Sequence, residues 1–303
     1  MKKTFTSIQE LRRLSTSELE KQVRERRIKP VDKLTFADDY LFGEVMHRKD
    51  VCAGVVERLL GLKAGKITYP EVQKSIRPFY ESKGIRMDVL ARDGKRLYNL
   101  EMQTSKFASL PLRMRYYQGL LDADLLMSGH KYRELCQSYI IFICTKDPFG
   151  HKLPVYTFCN SCQENLSLKL NDKCIKIFYN ISAWQFDGNT ERASLLRYIK
   201  TGAVSTAFTN RLDSVAQEIK KMNKFRREYM IHNMHFDDAL YFAQKKGEAK
   251  GMIRGAEKNM RQNILGLNRN NVPVSIIASS LGKTQAEVEE IIRSELEKTP
   301  RKK

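Results

Sequence analysis

Residues 84–103, GIRMDVLARDGKRLYNLEMQ, constrain the fold more than any other stretch of the chain. Two runs that mix apolar and polar residues flank Asp93-Gly94, a strong short-range signal for a β-hairpin. With the turn centred between Asp93 and Gly94, Asp88 falls opposite Asn99 and Arg86 opposite Glu101. Side chains alternate along a strand, so Asp88, Asn99, Glu101 and Gln103 share one face, with Asp88 diagonal to Glu101. One reading of that face is the solvated side of a half-buried hairpin. The other is a cage for a hard divalent cation. Mg²⁺ takes oxygen ligands, keeps several waters and uses one or two protein carboxylates. Leu97, Tyr98, Leu100 and Met102 interleave the polar positions of the second strand. They point to burial on at least one side, and a buried carboxylate needs a partner.

Charge narrows the partner. The chain carries 54 Lys and Arg against 35 Asp and Glu, a formal net charge of +19. Such a balance favours a polyanion, and nucleic acid is the expected one. A hydrophobic content of 42% is enough for a packed core and excludes a disordered or fibrous chain. No signal-peptide pattern opens the chain, and no run approaches the length of a membrane span. The cysteines are scattered through apolar runs, which fits a reducing compartment. A cytoplasmic protein with no membrane partner is therefore expected.

Taken in order, residues 1–30 read as a basic extension with a solvated charged helix. Residues 35–61 read as helical, ending at Gly61 as a C-cap. Asp38 and Asp39 open this stretch, either as caps on the helix dipole or, for Asp39, as a further carboxylate aimed at the metal. A strand or loop leads from there into the hairpin. Residues 110–126 form a helix with Pro111 in its first turn. Arg113, Arg115 and Tyr117 on that helix are candidates to hold a nucleic-acid backbone or stack on bases. The alternative is that Tyr117 packs on the sheet. SYIIFIC (138–144) reads as a central strand, with further strands at 155–159 and 174–180. A core over residues 31–188 results, a mixed α/β sheet flanked by helices.

Residues 189–245 read as helical, with one helix running from Phe208 through Met222 to Tyr229. Residues 246–303 combine glycines at every fourth position (Gly247, Gly251, Gly255) with a terminal helical hairpin. They form an α-helical C-terminal extension that either packs on the chain itself or joins copies into a homo-oligomer. Thr284 and Glu287 fit a capping box. Cys159 and Cys162 form a lone CxxC near Cys174 and His151, too few paired elements for a structural zinc site.

The order of these segments resembles the PD-(D/E)XK nuclease family transposases, the recombination-promoting nuclease (Rpn) group. The resemblance runs from about Leu34 to the C-terminus. It rests on FADDYLFGEVM (36–46), the hairpin, RMRYYQGLLDADLLMSGHKYREL (113–135), SYIIFICTKDPFG (138–150) and PVYTFCN (154–160). It implies a restriction-endonuclease-like fold and cleavage of DNA phosphodiester bonds with Mg²⁺, or another divalent cation such as Mn²⁺, linked to recombination or mobile elements. By position, Asp88 and Glu101 match the motif acids and Asp39 the helix-borne acid, giving a metal set of Asp88, Glu101 and Asp39. Gln103 stands where the parent pattern has lysine. It joins Asp88 and Glu101 in the catalytic set but can only hydrogen-bond. The departure leaves open a nucleic-acid-binding protein with a degenerate, inactive site.

Overall fold

The structure, a computed structural model, describes residues 4–5, 7–68, 71–76, 85–105, 108–126 and 131–298. In chain order the elements are α1 (Ile8–Arg12), α2 (Thr16–Glu25), α3 (Asp39–Met46), α4 (Lys49–Leu60), β1 (Glu71–Ile76), β2 (Ile85–Arg92), β3 (Arg96–Gln103) and α5 (Leu110–Leu125). They continue with β4 (Gln137–Cys144), β5 (Val155–Phe158), β6 (Cys174–Asn180), α6 (Thr190–Thr201), α7 (Ala207–Lys221), α8 (Asn223–Arg269), α9 (Val274–Leu281) and α10 (Gln285–Lys298). Gly84, at the start of the expected hairpin, and Gly129, expected to close α5, lie outside the described residues.

The chain divides into two compact units, Thr16–Met230 and Met1–Ser15 with Ile231–Lys303. The first unit is built on a six-stranded mixed sheet in the order β1-β2-β3-β4-β6-β5. β1, β2 and β3 are antiparallel neighbours, and a tight reversal joins β2 to β3. The crossover through α5 returns the chain so that β4 runs parallel to β3, and β6 is parallel to β4. The run SYIIFIC fills the central strand, with Ile140, Ile141, Phe142 and Ile143 wholly buried. On one face, Leu90, Leu97, Ile140, Phe142 and Phe178 pack against Leu110, Met114, Tyr117 and Leu121 of α5. Elsewhere in the unit the buried Tyr179 of β6 donates its hydroxyl to the Leu59 carbonyl of α4. Gly61 ends α4 in the left-handed region at φ 66°, and its N–H bonds the Glu57 carbonyl.

Three expectations change. The hairpin register slips by two residues: Leu90, not Asp88, faces Asn99, and Arg92 faces Leu97. The reversal centres on Gly94-Lys95 because the Asp93 carboxylate binds the N–H groups of Lys95 and Arg96 and the Tyr98 hydroxyl. Asp88 therefore lies directly across from Glu101. The helix expected through Met222 breaks there, with Met222 extended at ψ 121° between α7 and α8. The N-terminal segment is not a purely solvated arm, since Leu11, Leu19 and Val23 are all buried.

In the second unit the terminal hairpin has its own core. Ile277, Ala278 and Val288 bury against Ile264 of α8. Thr284 and Glu287 form the expected capping box, each bonding the other's backbone N–H. Gly247, Gly251 and Gly255 lie within α8, and among the described residues a side-chain carbon at any of them would meet nothing within 4 Å. Among the described residues no helix is long and apolar enough to cross a membrane.

Close approach matters at Gly43. A Cβ there would lie 2.6 Å from Val72 Cγ1 of β1, so α3 rests on the sheet only because residue 43 has no side chain. Asp39 is one turn earlier on the same helix. Gly43→Ala is expected to destabilise the unit by about 1–3 kcal/mol, because β-branched Val72 yields little. Urea denaturation measures this, and adding Val72→Ala should restore part of the loss.

Candidate metal and phosphate site

The polar face of β3 is not solvated. Asn99, Glu101 and Gln103 are 0%, 1% and 5% exposed, buried where α5 crosses the sheet. Among the described residues no partner meets hydrogen-bond geometry with either Asn99 amide atom, although the side chain lies near enough to Glu101 to lower its pKa slightly. That burial removes the reading of a solvated hairpin face.

Where β2 meets β3 at Asp88 and Glu101, the carboxylates take backbone hydrogen bonds. Asp88 N–H donates to Glu101 Oε1 at 3.1 Å, and Met102 N–H donates to Asp88 Oδ2 at 2.8 Å. Arg113 closes the group from α5. Its Nη2 reaches Glu101 Oε2 at 2.8 Å, its Nη1 reaches Gln103 Oε1 at 3.0 Å, and its Nε reaches the Tyr117 hydroxyl at 3.0 Å. The Gln103 amide nitrogen is bound to the Ser105 carbonyl and hydroxyl. Its orientation is fixed, because arginine can only donate.

Above this layer lies a cavity of about 340 Å³ lined by Asp38, Asp39, Arg86, Asp88, Met102, Thr104 and Arg113. Asp38 is consumed by Lys29 and by the N–H and hydroxyl of Thr35. It bonds back into the preceding turn rather than forward into α3. Asp39 sits exposed in the first turn of α3. Asp39 and Asp88 thus share a cavity, and Asp88 and Glu101 share a strand junction, but Glu101 is not part of the cavity wall. Among the described residues no three His, Cys, Asp or Glu side chains are grouped to hold a metal. The same holds for Cys159, Cys162 and Cys174; the Cys174 thiol donates to Gln118 Oε1.

Burial raises the pKa of Asp88 to about 6, and the Asp39 charge adds to the rise, while the Met102 N–H opposes it. Glu101 is pushed well above the usual carboxylate range by burial and by Asp88, with Arg113 pulling the other way. A carboxylate binds a cation only once ionised. Mg²⁺ or Mn²⁺ affinity is therefore expected to climb as pH rises through about 6. Calorimetric titration at pH 5 and pH 8 checks it, and equal affinity at both would exclude Asp88 as a ligand.

The other expected contacts separate. Arg115 is exposed on α5. Tyr117 is 6% exposed and its hydroxyl is engaged by Arg113, so its ring packs on Phe142 rather than meeting a base. Tyr116, beside it, is the exposed tyrosine. The sequence carried a signal for the Tyr117 position in the apolar spacing of Tyr117, Leu120 and Leu121. It carried none for Arg86 in the cavity wall.

Comparison with known proteins finds no family model, no curated protein and no solved structure that the chain matches.

Proposed function

We propose that the chain is a metal-dependent endonuclease that hydrolyses DNA phosphodiester bonds. The observation that carries this reading is the acidic junction of Asp88 and Glu101, opening beside Asp39 into a cavity walled by Arg86 and Arg113. Two ionisable carboxylates beside two arginines suit a cation and a phosphate together. The element order of a helix, three antiparallel strands, a crossover helix and a parallel strand supports a restriction-endonuclease-like core.

The donor set suits Mg²⁺ or Mn²⁺, which need only one or two carboxylates. Asp88 and Asp39 would hold the ion. Among the described residues Asp88 Oδ1 has no hydrogen bond, whereas both oxygens of Glu101 are engaged. When bound, such an ion lowers the pKa of its water and offsets charge on the scissile phosphate. Glu101 holds Arg113 in place and accepts the Asp88 N–H, and Arg86 and Arg113 supply positive charge at the cavity wall. The net charge of +19 draws the DNA backbone, so binding should weaken with salt.

A second reading, a nucleic-acid-binding protein with an inactive site, is favoured by one observation. Gln103 is buried, and both its amide nitrogen and its amide oxygen already have protein partners, which leaves it at most one acceptor site for a water. The pure protein incubated with plasmid separates the two readings. Nicking with Mg²⁺ or Mn²⁺ that stops on chelation is expected; salt-dependent binding without any cutting would favour the second.

A further inference from the structure

We propose that Arg113 is a substrate-contacting residue of this site and that Gln103 is its positioning residue, an inference that rests on the endonuclease reading. Arginine carries five N–H donors in a planar fork. Among the described residues three are used, one each by Glu101, Gln103 and Tyr117. The two that remain belong to a side chain that lines the cavity with Asp39 and Asp88 and is 36% exposed. The guanidinium carbon lies 5.0 Å from the Tyr117 ring centre and 5.3 Å from that of Phe142, so its plane is held by aromatic walls as well. A fork pinned on three sides with two donors free suits the non-bridging oxygens of a phosphodiester. Gln103, like the Tyr117 hydroxyl, is a neutral member of that pin. Its oxygen takes Nη1 while its nitrogen is tied to Ser105. A neutral acceptor fixes the fork without cancelling its charge, which a second carboxylate there would do.

The position makes an opposed expectation for a cation at residue 103. If Gln103 merely left a positive charge missing, Gln103→Lys would restore it. If Gln103 positions Arg113, a lysine would remove the acceptor and set a second cation against the guanidinium. The experiment measures plasmid nicking with Mg²⁺ for the full chain, Gln103→Met and Gln103→Lys, with kcat and KM separated and thermal melts run beside them. Both variants should lose about tenfold in kcat with KM for DNA little changed, Gln103→Met with a melt close to the parent and Gln103→Lys with a lower one. Gln103→Lys cutting as fast as the parent, or faster, overturns the inference and leaves the endonuclease reading standing. A parent chain that cuts with neither Mg²⁺ nor Mn²⁺ overturns both.

Discussion

Replacing Arg113 with alanine is expected to destabilise the fold by about 3 kcal/mol where Glu101 is ionised, with the loss shrinking toward acid pH. The physical reason is Glu101. It is 1% exposed, and among the described residues its one cationic partner is the Arg113 guanidinium at 2.8 Å. Removing that partner leaves a buried carboxylate whose charge nothing offsets. Below its raised pKa, Glu101 keeps a proton and the penalty shrinks, so the loss should grow as pH rises. Urea denaturation as a function of pH measures it. Glu101→Gln should be far milder alone and should recover most of the loss when combined with Arg113→Ala, since the two act as a pair. A pH-independent loss would assign the effect to packing of the arginine stem on Tyr117 and Phe142 instead.

Asp88→Asn should pull activity and stability in opposite directions. Loss of the proposed metal ligand is expected to lower nicking on the order of a thousandfold, from several kcal/mol of transition-state stabilisation. The metal-free protein should become more stable at pH 8. The sign follows from the raised pKa. The folded chain holds the Asp88 proton up to about pH 6, whereas the unfolded chain releases it near 3.8. Stability from that proton is complete below the unfolded value and is lost as pH climbs through the folded one. Asparagine carries no such penalty, so the gain at pH 8 is roughly 3 kcal/mol, and it vanishes at pH 3. Thermal melts without divalent ions at the two pH values check it.

Much of the scaffold was legible in the sequence because it rests on local rules. SYIIFIC reads as a buried central strand and CIKIFYN as a further strand, and β4 and β6 run over them. Gly61 and the Thr284–Glu287 box ended and began helices as their chemistry requires. The acidic pair was legible too, although its geometry was not. Asp93 moved the reversal by binding two backbone N–H groups, and this turned Asp88 from a diagonal neighbour of Glu101 into its opposite number. The break at Met222 carries no glycine or proline, so the apolar spacing ran through it unmarked. The role of Gly43 depends on Val72, a strand away in sequence. Arg113 looked like a free phosphate ligand because its three partners come from β3 and from a turn further along α5. Only their meeting in space shows that most of its donors are already bound.

The central claim is that Asp88 serves metal-dependent cleavage of DNA. Supercoiled plasmid incubated with Mg²⁺ and either the full chain or Asp88→Asn tests it most directly. The account requires nicking by the parent and at most residual nicking by the variant, with both proteins folded. Equal nicking by the two, or none by the parent, would contradict it.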